Sequence, residues 1–290
     1  MMNALTTEFD YARPVNASRT LLSAFRTRLS DFAGIEVKSN RDAMVCHRLA
    51  SRVAATGLQS LDQYLKLILS EPLWAAEFRN AVEMMTTNTT FFFREAAHFD
   101  FLANTIVPEL AQEAGLNDFR LKLWSAAASE GAEAYTAAMV LSELQARFPR
   151  MEYSIIGTDL SEAMVHKARL AIYRKTRTNE IPTALRRKYL LQGLDPEVAD
   201  QVRFSPEIRR HVRFAQMNLM DRHYPIVGGV DVAFLRNVLI YFSPEDQSAV
   251  IDRVVSRVRS GGYLIVGMSE SMTVNHPDLV QVEPSIFRKL

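Results

Sequence analysis

The sequence has very little cysteine: Cys46 is the only one among 290 residues. A single thiol excludes an internal disulfide framework and a multi-thiolate metal site, and it is typical of a reducing compartment. No apolar run approaches the roughly 20 residues that cross a bilayer. The segment Met1 to Pro14 lacks the basic and apolar stretches of a signal peptide. These absences predict a cytoplasmic protein with neither a bound metal nor a membrane insertion.

An excess of charge of either sign is also missing. Lys and Arg number 34 against 33 Asp and Glu, so the formal net charge is +1. Such a balance provides no overall field to draw the chain onto nucleic acid or an anionic membrane. Electrostatic recognition must therefore come from local patches, and the segment Tyr173–His211 is visibly basic.

Two patterns of apolar residues divide the chain. From Ser18 to Met85 they recur at helical spacing with no convincing strand, which predicts a small all-helical domain. After a helix from about Glu95 to Ala114, short apolar runs alternate with helices, as in a parallel sheet covered on both faces. The predicted strands are Phe119–Trp124, Tyr153–Thr158, Val212–Met217, Val230–Leu235, Tyr263–Gly267 and Gln281–Leu290. The predicted helices between them are Glu133–Arg147, Ser161–Ile172 and Pro244–Arg259.

The predicted fold class is therefore α/β, with a Rossmann-like sheet domain preceded by the helical domain. We place the helical domain and its linker at residues 1–90 and the sheet domain at 91–290. The alternation breaks at about 174–211, which we interpret as a small inserted β-subdomain.

Small or polar residues follow four of the predicted strands. They are the loop Ser125–Glu133, then Asp159, the pair Asn218-Leu219 and the pair Arg236-Asn237. Because ligands of open α/β sheets bind beyond the carboxyl ends of the strands, these residues predict one binding site. An acid after the second strand is typical of sites that hold ribose hydroxyls.

Each of these residues has a structural alternative. Asp159 could help to start a helix, and Glu133 favours a helix dipole in any case. Asn218 and Asn237 could be turn residues without a ligand. The single glycine, Gly131, is a weaker signal than a glycine-rich nucleotide motif.

The segment Thr86–Glu95 places three phenylalanines between short hydrogen-bonding side chains and an arginine. The phenylalanines alone could be a hydrophobic plug between domains. Asn88, Thr90 and Arg94 are harder to explain in that way, because their side chains suit a polar ligand.

Three motifs resemble the chemotaxis receptor glutamate methyltransferases, the CheR family. The family pattern T-x-N-x-T-x-F-F-R-E is similar to Thr86–Glu95, W-x-A-x-x-S-x-G-E-E-x-Y-S to Trp124–Thr136, and R-N-V-x-I-Y-F to Arg236–Phe242. The likeness extends in order from the N-terminal helices to the C-terminal strand. The chain departs from the family at Glu130, Ala132 and Ala134, where a threonine, an acid and a proline are usual.

The resemblance implies S-adenosylmethionine as methyl donor, S-adenosylhomocysteine as product, and receptor glutamates as acceptors. Asp159 would hold the ribose, and Arg94 and Tyr241 would be catalytic by orienting the acceptor carboxylate, although Tyr241 could equally be a core tyrosine. The implied cofactor-binding residues are Asn88, Thr90, Arg94, Glu133, Asp159, Asn218, Leu219, Arg236 and Asn237.

The implied partner is the cytoplasmic helical bundle of a chemotaxis receptor. If Arg41–Val53 is helical, Arg41, Arg48 and Arg52 share one face that could bind this acidic bundle, or that could be an ordinary solvated face. We expect a monomer that recognises its receptor through the helical domain, without a receptor peptide held by the insertion. The rivals are a methyltransferase for a small molecule or nucleic acid, and a cofactor-binding regulatory module that has lost catalysis.

Overall fold

The computed structural model describes residues 17–290, so the predicted absence of a signal peptide at Met1 to Pro14 lies outside the described residues. The chain divides into two compact units, and the boundary between them lies between Thr87 and Asn88. The described part of the first unit contains four α-helices and no strand, as the helical spacing predicts. The helices are α1 Arg19–Ala33, α2 Asp42–Thr56, α3 Leu61–Ser70 and α4 Ala75–Met85.

The first unit is built around one apolar face of each helix. Phe25, Leu49 and Leu65, from α1, α2 and α3, have no exposed surface. Gly34 and Gly57 end α1 and α2 with φ angles of 68° and 69°, the left-handed conformation that glycine adopts at helix C-termini. These stops turn the chain, so that successive amphipathic helices bury their faces against one another.

The second unit contains ten strands and the remaining helices. The strands are β1 Phe119–Ala126, β2 Met151–Asp159, β3 Ile172–Arg174, β4 Leu190–Gln192, β5 Gln201–Phe204, β6 Val212–Gln216, β7 Val230–Leu235, β8 Val258–Val266, β9 Leu279–Glu283 and β10 Ile286–Lys289. The helices are α5 Ala97–Phe101, α6 Val107–Ala114, α7 Ala132–Gln145, α8 Glu162–Leu170, α9 Thr183–Tyr189, α10 Pro206–Arg209 and α11 Pro244–Val255. A π-helical turn, Leu102–Ile106, joins α5 to α6.

Seven strands form one twisted sheet in the order β6-β2-β1-β7-β8-β10-β9. The first five are parallel, and β10 is antiparallel to both of its neighbours. The α/β class is confirmed, but the single last strand predicted over Gln281–Leu290 is wrong. Ser285 has a φ angle of 62° and reverses the chain there, so the segment contains two paired strands.

The central strands are buried on both faces. Leu121 and Leu123 of β1 point into one core, whereas Trp124 and Ala126 point into the other, as the two-residue period of a strand requires. All six residues of β7 are buried. The carboxyl ends of β1, β2 and β7 therefore lie side by side on a rigid support.

The inserted segment forms a small antiparallel sheet in the order β3-β5-β4. Its inner face packs on the sheet domain through aromatic rings: Phe204 of β5 stacks on Tyr135 of α7 with ring centroids 4.5 Å apart. Tyr173 of β3 meets Phe92 edge to face at 5.1 Å. The insertion is thus held against the same helix that begins at the end of β1.

Within residues 17–290, every helix is too short or too polar to cross a membrane. In the same residues, His, Cys, Asp and Glu side chains do not assemble in groups of three or more that could hold a metal ion.

Candidate functional site

The loop after β1 has an unusual backbone. Ala127, Ser129 and Gly131 have φ angles of 138°, 49° and 92°, a region that is costly for residues with a side chain and often marks functional sites. A Cβ atom at Gly131 would lie 3.0 Å from the ring of Phe214 and 3.1 Å from Ala168. Glycine is therefore required here for conformation and for close packing.

Asp159, at the end of β2, fixes this loop. One carboxylate oxygen accepts the backbone N–H of Ser129 at 2.7 Å, and the other accepts that of Ser161 at 2.9 Å. The second bond lies at the start of α8, so Asp159 does have the helix-starting role that its position in the sequence allowed. A carboxylate has about four acceptor positions, so this role is compatible with a ribose ligand, which stays a prediction.

A buried charge network joins the ends of β1 and β7. Arg236 donates to Glu133 at 2.8 Å and to Glu95 at 3.1 Å, and Glu133 also accepts the hydroxyl of Ser125 at 2.6 Å. The Arg236 side chain is only 2% exposed and also donates to the carbonyl oxygen of Arg94. Glu133 is thus positioned by a bond from β1 and a bond from the residue that follows β7, in addition to its place at the start of α7.

Two acids that the sequence analysis did not select organise the loop after β7. Asn237 has a φ angle of 56°, and its side chain donates to Glu95 at 3.3 Å. Its backbone N–H donates to Glu270 at 2.7 Å, and Glu270 also accepts the N–H groups of Gly267 at 2.8 Å and Ile240 at 3.3 Å. Glu270 therefore ties the loop after β7 to the loop after β8.

Glu270 is only 1% exposed, and burial raises its pKa against the opposing effect of the backbone N–H groups of Asn237 and Gly267. A Cβ atom at Gly267 would lie 2.6 Å from the Asn237 amide nitrogen. The sequence signal for the contact between the Glu270 loop and Asn237 was therefore Gly267, which ends a predicted strand.

Glu95 and His98 lie beside Arg236. Burial raises the pKa of Glu95, but the charge and hydrogen bond of Arg236 outweigh it, so the net shift is downward. His98 is 1% exposed, and burial, with the positive charge of Arg236, lowers its pKa to about 4. Its Nε2 lies 2.7 Å from the hydroxyl of Ser285, in the turn before β10.

The segment from Asn88 to Glu95 lies beside the β1 loop and becomes a series of turns from Phe92 onward. The hydroxyl of Ser129 donates to the Asn88 carbonyl oxygen at 3.1 Å, and the Thr90 carbonyl oxygen accepts from Arg177 at 2.8 Å. The guanidinium of Arg94 donates to a backbone carbonyl oxygen at 3.1 Å and lies over the Phe91 ring at 5.6 Å. Among the residues that the structure describes, this guanidinium forms no ion pair.

Asn218 and Leu219 follow β6 in an ordered turn. The Asn218 side chain accepts the N–H of Met220 at 2.9 Å, so its turn role is also real. The carbonyl oxygen of Leu219 accepts from Tyr224 at 2.6 Å and from Arg253 at 3.0 Å. Because β6 pairs with β2, this turn lies next to the end of β2.

Tyr241 ends the single 3-10 turn Leu239–Tyr241 and is half-buried. It directly follows Ile240, whose N–H is held by Glu270. The structure therefore places Tyr241 at a partly exposed position on the loop that also carries Asn237.

The three arginines predicted to contact the substrate lie in the first unit. Arg41 is exposed and precedes α2. Arg48 donates to the Met85 carbonyl oxygen at 2.9 Å, near the end of α4, and Arg52 binds both oxygens of Glu77 at 2.8 and 2.7 Å. Two of the three thus connect helices within the unit, which the sequence analysis did not anticipate.

Comparison with known proteins identifies two consecutive domains. The family model "CheR methyltransferase, all-alpha domain" matches residues 21–86, and "CheR methyltransferase, SAM binding domain" matches residues 88–287. The boundary between them coincides with the division of the two compact units.

Three curated relatives are each named a chemotaxis protein methyltransferase. The relative from Vibrio anguillarum is 35% identical over 92% of this chain and 95% of its own length. That from Escherichia coli is 33% identical over 83% and 80%, and that from Borreliella burgdorferi 29% over 95% and 96%. This chain therefore belongs to the CheR methyltransferase family, and its second unit is an S-adenosylmethionine-binding methyltransferase domain.

Proposed function

We propose that this protein transfers a methyl group from S-adenosylmethionine to glutamate side chains of a chemotaxis receptor, which forms methyl esters. The observation that carries the proposal is the Arg94 guanidinium, which is held by a carbonyl oxygen and an aromatic ring and has no carboxylate partner in the described part of the chain. A guanidinium fixed in this way suits a carboxylate substrate, which it can bind through two parallel hydrogen bonds.

Arg236 is another cation at this site, but it suits a substrate carboxylate less well. It is almost fully buried and already paired with Glu95 and Glu133. Breaking such pairs leaves a buried charge without a partner, at a cost of about 3–5 kcal/mol. Arg94 therefore remains the candidate for orienting the acceptor.

The residues at the strand ends fit S-adenosylmethionine. The Asp159 carboxylate matches a ribose diol, and Glu133 matches either the ribose or the ammonium group of the methionine part. Arg236 Nε is buried and has no hydrogen-bond partner among the described residues, so one donor is left for a polar ligand. The small side chains of the β1 loop allow a ligand to approach the backbone closely.

The departures from the family pattern leave this arrangement intact. Ala132 and Ala134 are both buried in the first turn of α7. Glu133, between them, keeps its hydrogen bonds with Ser125 and Arg236. The alanines therefore give no support to a regulatory module that has lost catalysis.

Bound S-adenosylmethionine supplies a methyl group on a positively charged sulfur, which a carboxylate can attack directly. An exposed glutamate has a reference pKa near 4.3 and is ionised at neutral pH, so this chain need not supply a general base. Arg94 and the Tyr241 hydroxyl orient the carboxylate, because alignment is the main requirement of such a displacement. A tight ion pair would stabilise the substrate more than the transition state, so orientation matters more than affinity.

The test is transfer of radiolabelled methyl from S-adenosylmethionine to the soluble cytoplasmic fragment of a methyl-accepting receptor. A carboxyl methyl ester releases its label as volatile methanol in alkali, whereas a methylated amine keeps it. We expect the label to be released. Label that stays on the receptor after alkali, or no transfer to receptor by the folded enzyme, would contradict the proposal.

A further inference from the structure

The positive charge of this nearly neutral chain is concentrated in one segment. Residues 167–213 contain twelve Lys or Arg side chains and five Asp or Glu side chains, out of totals of 34 and 33. The segment runs from the last turn of α8 through the small sheet to β6. Because so much of the charge lies in one part of the second unit, that part can attract an acidic partner although the whole molecule cannot.

Three arginines of this segment are held by backbone carbonyl oxygens. Arg169 donates to that of Phe214 at 3.1 and 2.8 Å, Arg203 to that of Leu170 at 3.0 Å, and Arg209 to another at 3.1 Å. None of the three forms an ion pair with a described residue. A carbonyl oxygen orders a guanidinium without neutralising its charge. We call Arg169, Arg203 and Arg209 the arginine cluster.

Two arginines of the cluster are bound to the backbone of one group of packed aromatic residues. The carbonyl oxygens of Phe204 and Phe214 hold Arg209 and Arg169, and both rings pack on Tyr135, at 4.5 and 5.6 Å between centroids. The Tyr135 hydroxyl in turn donates to a carbonyl oxygen of α8 at 2.9 Å. Arg203 directly precedes Phe204 in β5, so each of the three arginines is attached to this aromatic group by a hydrogen bond or by the chain itself.

Exposed apolar side chains adjoin these charges. In the small sheet, Ile172 of β3 and Leu191 of β4 both pair with Arg203 of β5, so the three side chains form a row on one face. Ile172 is 39% exposed and Leu191 52% exposed. Leu170, whose carbonyl oxygen holds Arg203, is 40% exposed. Apolar residues grouped on the outer face of a sheet are typical of an interaction surface.

We propose that the arginine cluster, together with Leu170, Ile172 and Leu191, is a docking surface for an acidic, amphipathic helical face of the receptor substrate. This inference rests on the proposed function and names a receptor-binding surface in the second unit, in addition to the helical domain through which the sequence predicts receptor recognition. Glutamates spaced three or four residues apart line one side of a helix, with apolar residues beside them. Such a face complements ordered guanidinium groups that have apolar side chains beside them.

An anionic lipid surface is the other acidic partner to consider. Clusters of basic side chains attract anionic lipid headgroups, and this attraction does not require the charges to be held in a fixed arrangement. Here the three guanidinium groups are fixed by hydrogen bonds, and Arg203 lies between Ile172 and Leu191 in a row across the three strands. Such a fixed arrangement of charge and apolar surface favours a protein partner of matching pattern.

The experiment compares two variants with a matched control. Arg174 of β3 is exposed and lies two residues after Ile172, on the same outer face of the sheet. Arg174→Glu/Arg203→Glu reverses charge on this face, and Ile172→Ser/Leu191→Ser removes its apolar row while leaving the Arg203 bond in place. The control is Arg150→Glu, because Arg150 is also exposed and also donates to a backbone carbonyl oxygen, but lies just before β2, outside the segment. Each protein is checked for native thermal unfolding before kinetics are measured.

With the soluble receptor fragment as substrate, we expect each double variant to raise KM for receptor about tenfold. The kcat and the affinity for S-adenosylhomocysteine stay unchanged, and the control behaves like the parent. A KM within twofold of the parent for both folded variants, or an equal rise in the control, would overturn the proposal.

Two further outcomes distinguish the docking surface from a lipid-binding surface and from a failure of the proposed function. If the variants lose activity only on receptor embedded in anionic vesicles and not on the soluble fragment, the surface binds lipid and the proposal is wrong. If the parent enzyme transfers no methyl to receptor carboxylates, the proposed function fails, whereas transfer that is insensitive to these variants removes only the docking surface.

Discussion

At the scale of single residues, Asp159 has one role that the structure shows and one that stays a prediction. It holds the β1 loop and the start of α8 by backbone hydrogen bonds, and its predicted second role is to bind the ribose of the cofactor. We expect Asp159→Ala to weaken S-adenosylhomocysteine binding by about 1–3 kcal/mol, because hydrogen bonds to a charged group are lost. Isothermal titration calorimetry measures this change. Unchanged affinity in a folded variant would reduce Asp159 to its helix-starting role.

Arg94 is expected to act mainly on the rate of transfer. Arg94→Ala should lower kcat on the order of 100-fold, since positioning carries this kind of reaction. Arg147→Ala is a suitable control, because Arg147 also lies over a neighbouring phenylalanine ring, at 5.3 Å, on an exposed part of the second unit. Full turnover by Arg94→Ala in a steady-state assay would show that another group orients the acceptor.

His98 makes stability depend on pH. Its pKa is lowered from 6.5 to about 4, so between these values the unfolded chain binds a proton that the folded protein does not. The free energy of unfolding should therefore fall as the pH falls from about 6.5 to 4. Glu95, with its lowered pKa, acts in the same direction at the acidic end.

Urea unfolding at pH 7, 6 and 5 tests this expectation. His98→Gln should lose less stability than the parent over that interval, because glutamine does not titrate. Parallel curves for the two proteins would mean that His98 does not contribute to the pH dependence.

At the scale of elements, we expect Arg52 to stabilise the first unit and Arg41 to contact the receptor. Arg52→Glu should lower the free energy of unfolding on the order of 1–3 kcal/mol, because it removes a two-bond ion pair with Glu77 and leaves that acid beside a like charge. Arg41→Glu, at an exposed position, should change it by less than about 0.5 kcal/mol and raise KM for receptor.

Thermal unfolding and receptor kinetics of the two variants separate these roles. An unchanged KM for Arg41→Glu would remove the substrate contact predicted in the first unit. If Arg52→Glu is as stable as the parent protein, the ion pair between Arg52 and Glu77 contributes little to the free energy of unfolding.

At the scale of the whole molecule, charge is balanced in total and uneven in position. Docking through local patches is screened over about 8–10 Å at ordinary salt concentrations. We therefore expect kcat/KM for receptor to fall as sodium chloride rises, with a much smaller change in S-adenosylhomocysteine affinity. A salt titration of both quantities is the measurement. Receptor transfer that is insensitive to ionic strength would contradict electrostatic docking.

The large elements of the fold could be predicted because their signals are local. The buried runs around Leu123 and Val232 are continuous in sequence, and a strand buried on both faces needs such a run. The prediction failed at Ser285, where one left-handed residue splits an apparently continuous strand. Asp159, Glu133 and Asn237 could be selected from the sequence as candidate site residues because the carboxyl ends of neighbouring parallel strands meet at one edge of the sheet.

The sequence by itself determined the class of fold, the strands that support the site and the family to which the chain belongs. Only the tertiary structure decided which charges are engaged. Arg52 is paired with an acid 25 residues away, and Glu270 holds a loop 33 residues before it. Arg203, by contrast, is held by a carbonyl oxygen that leaves its charge available. Whether a charged side chain can bind a partner depends on neighbours brought by other elements, and no local pattern records them.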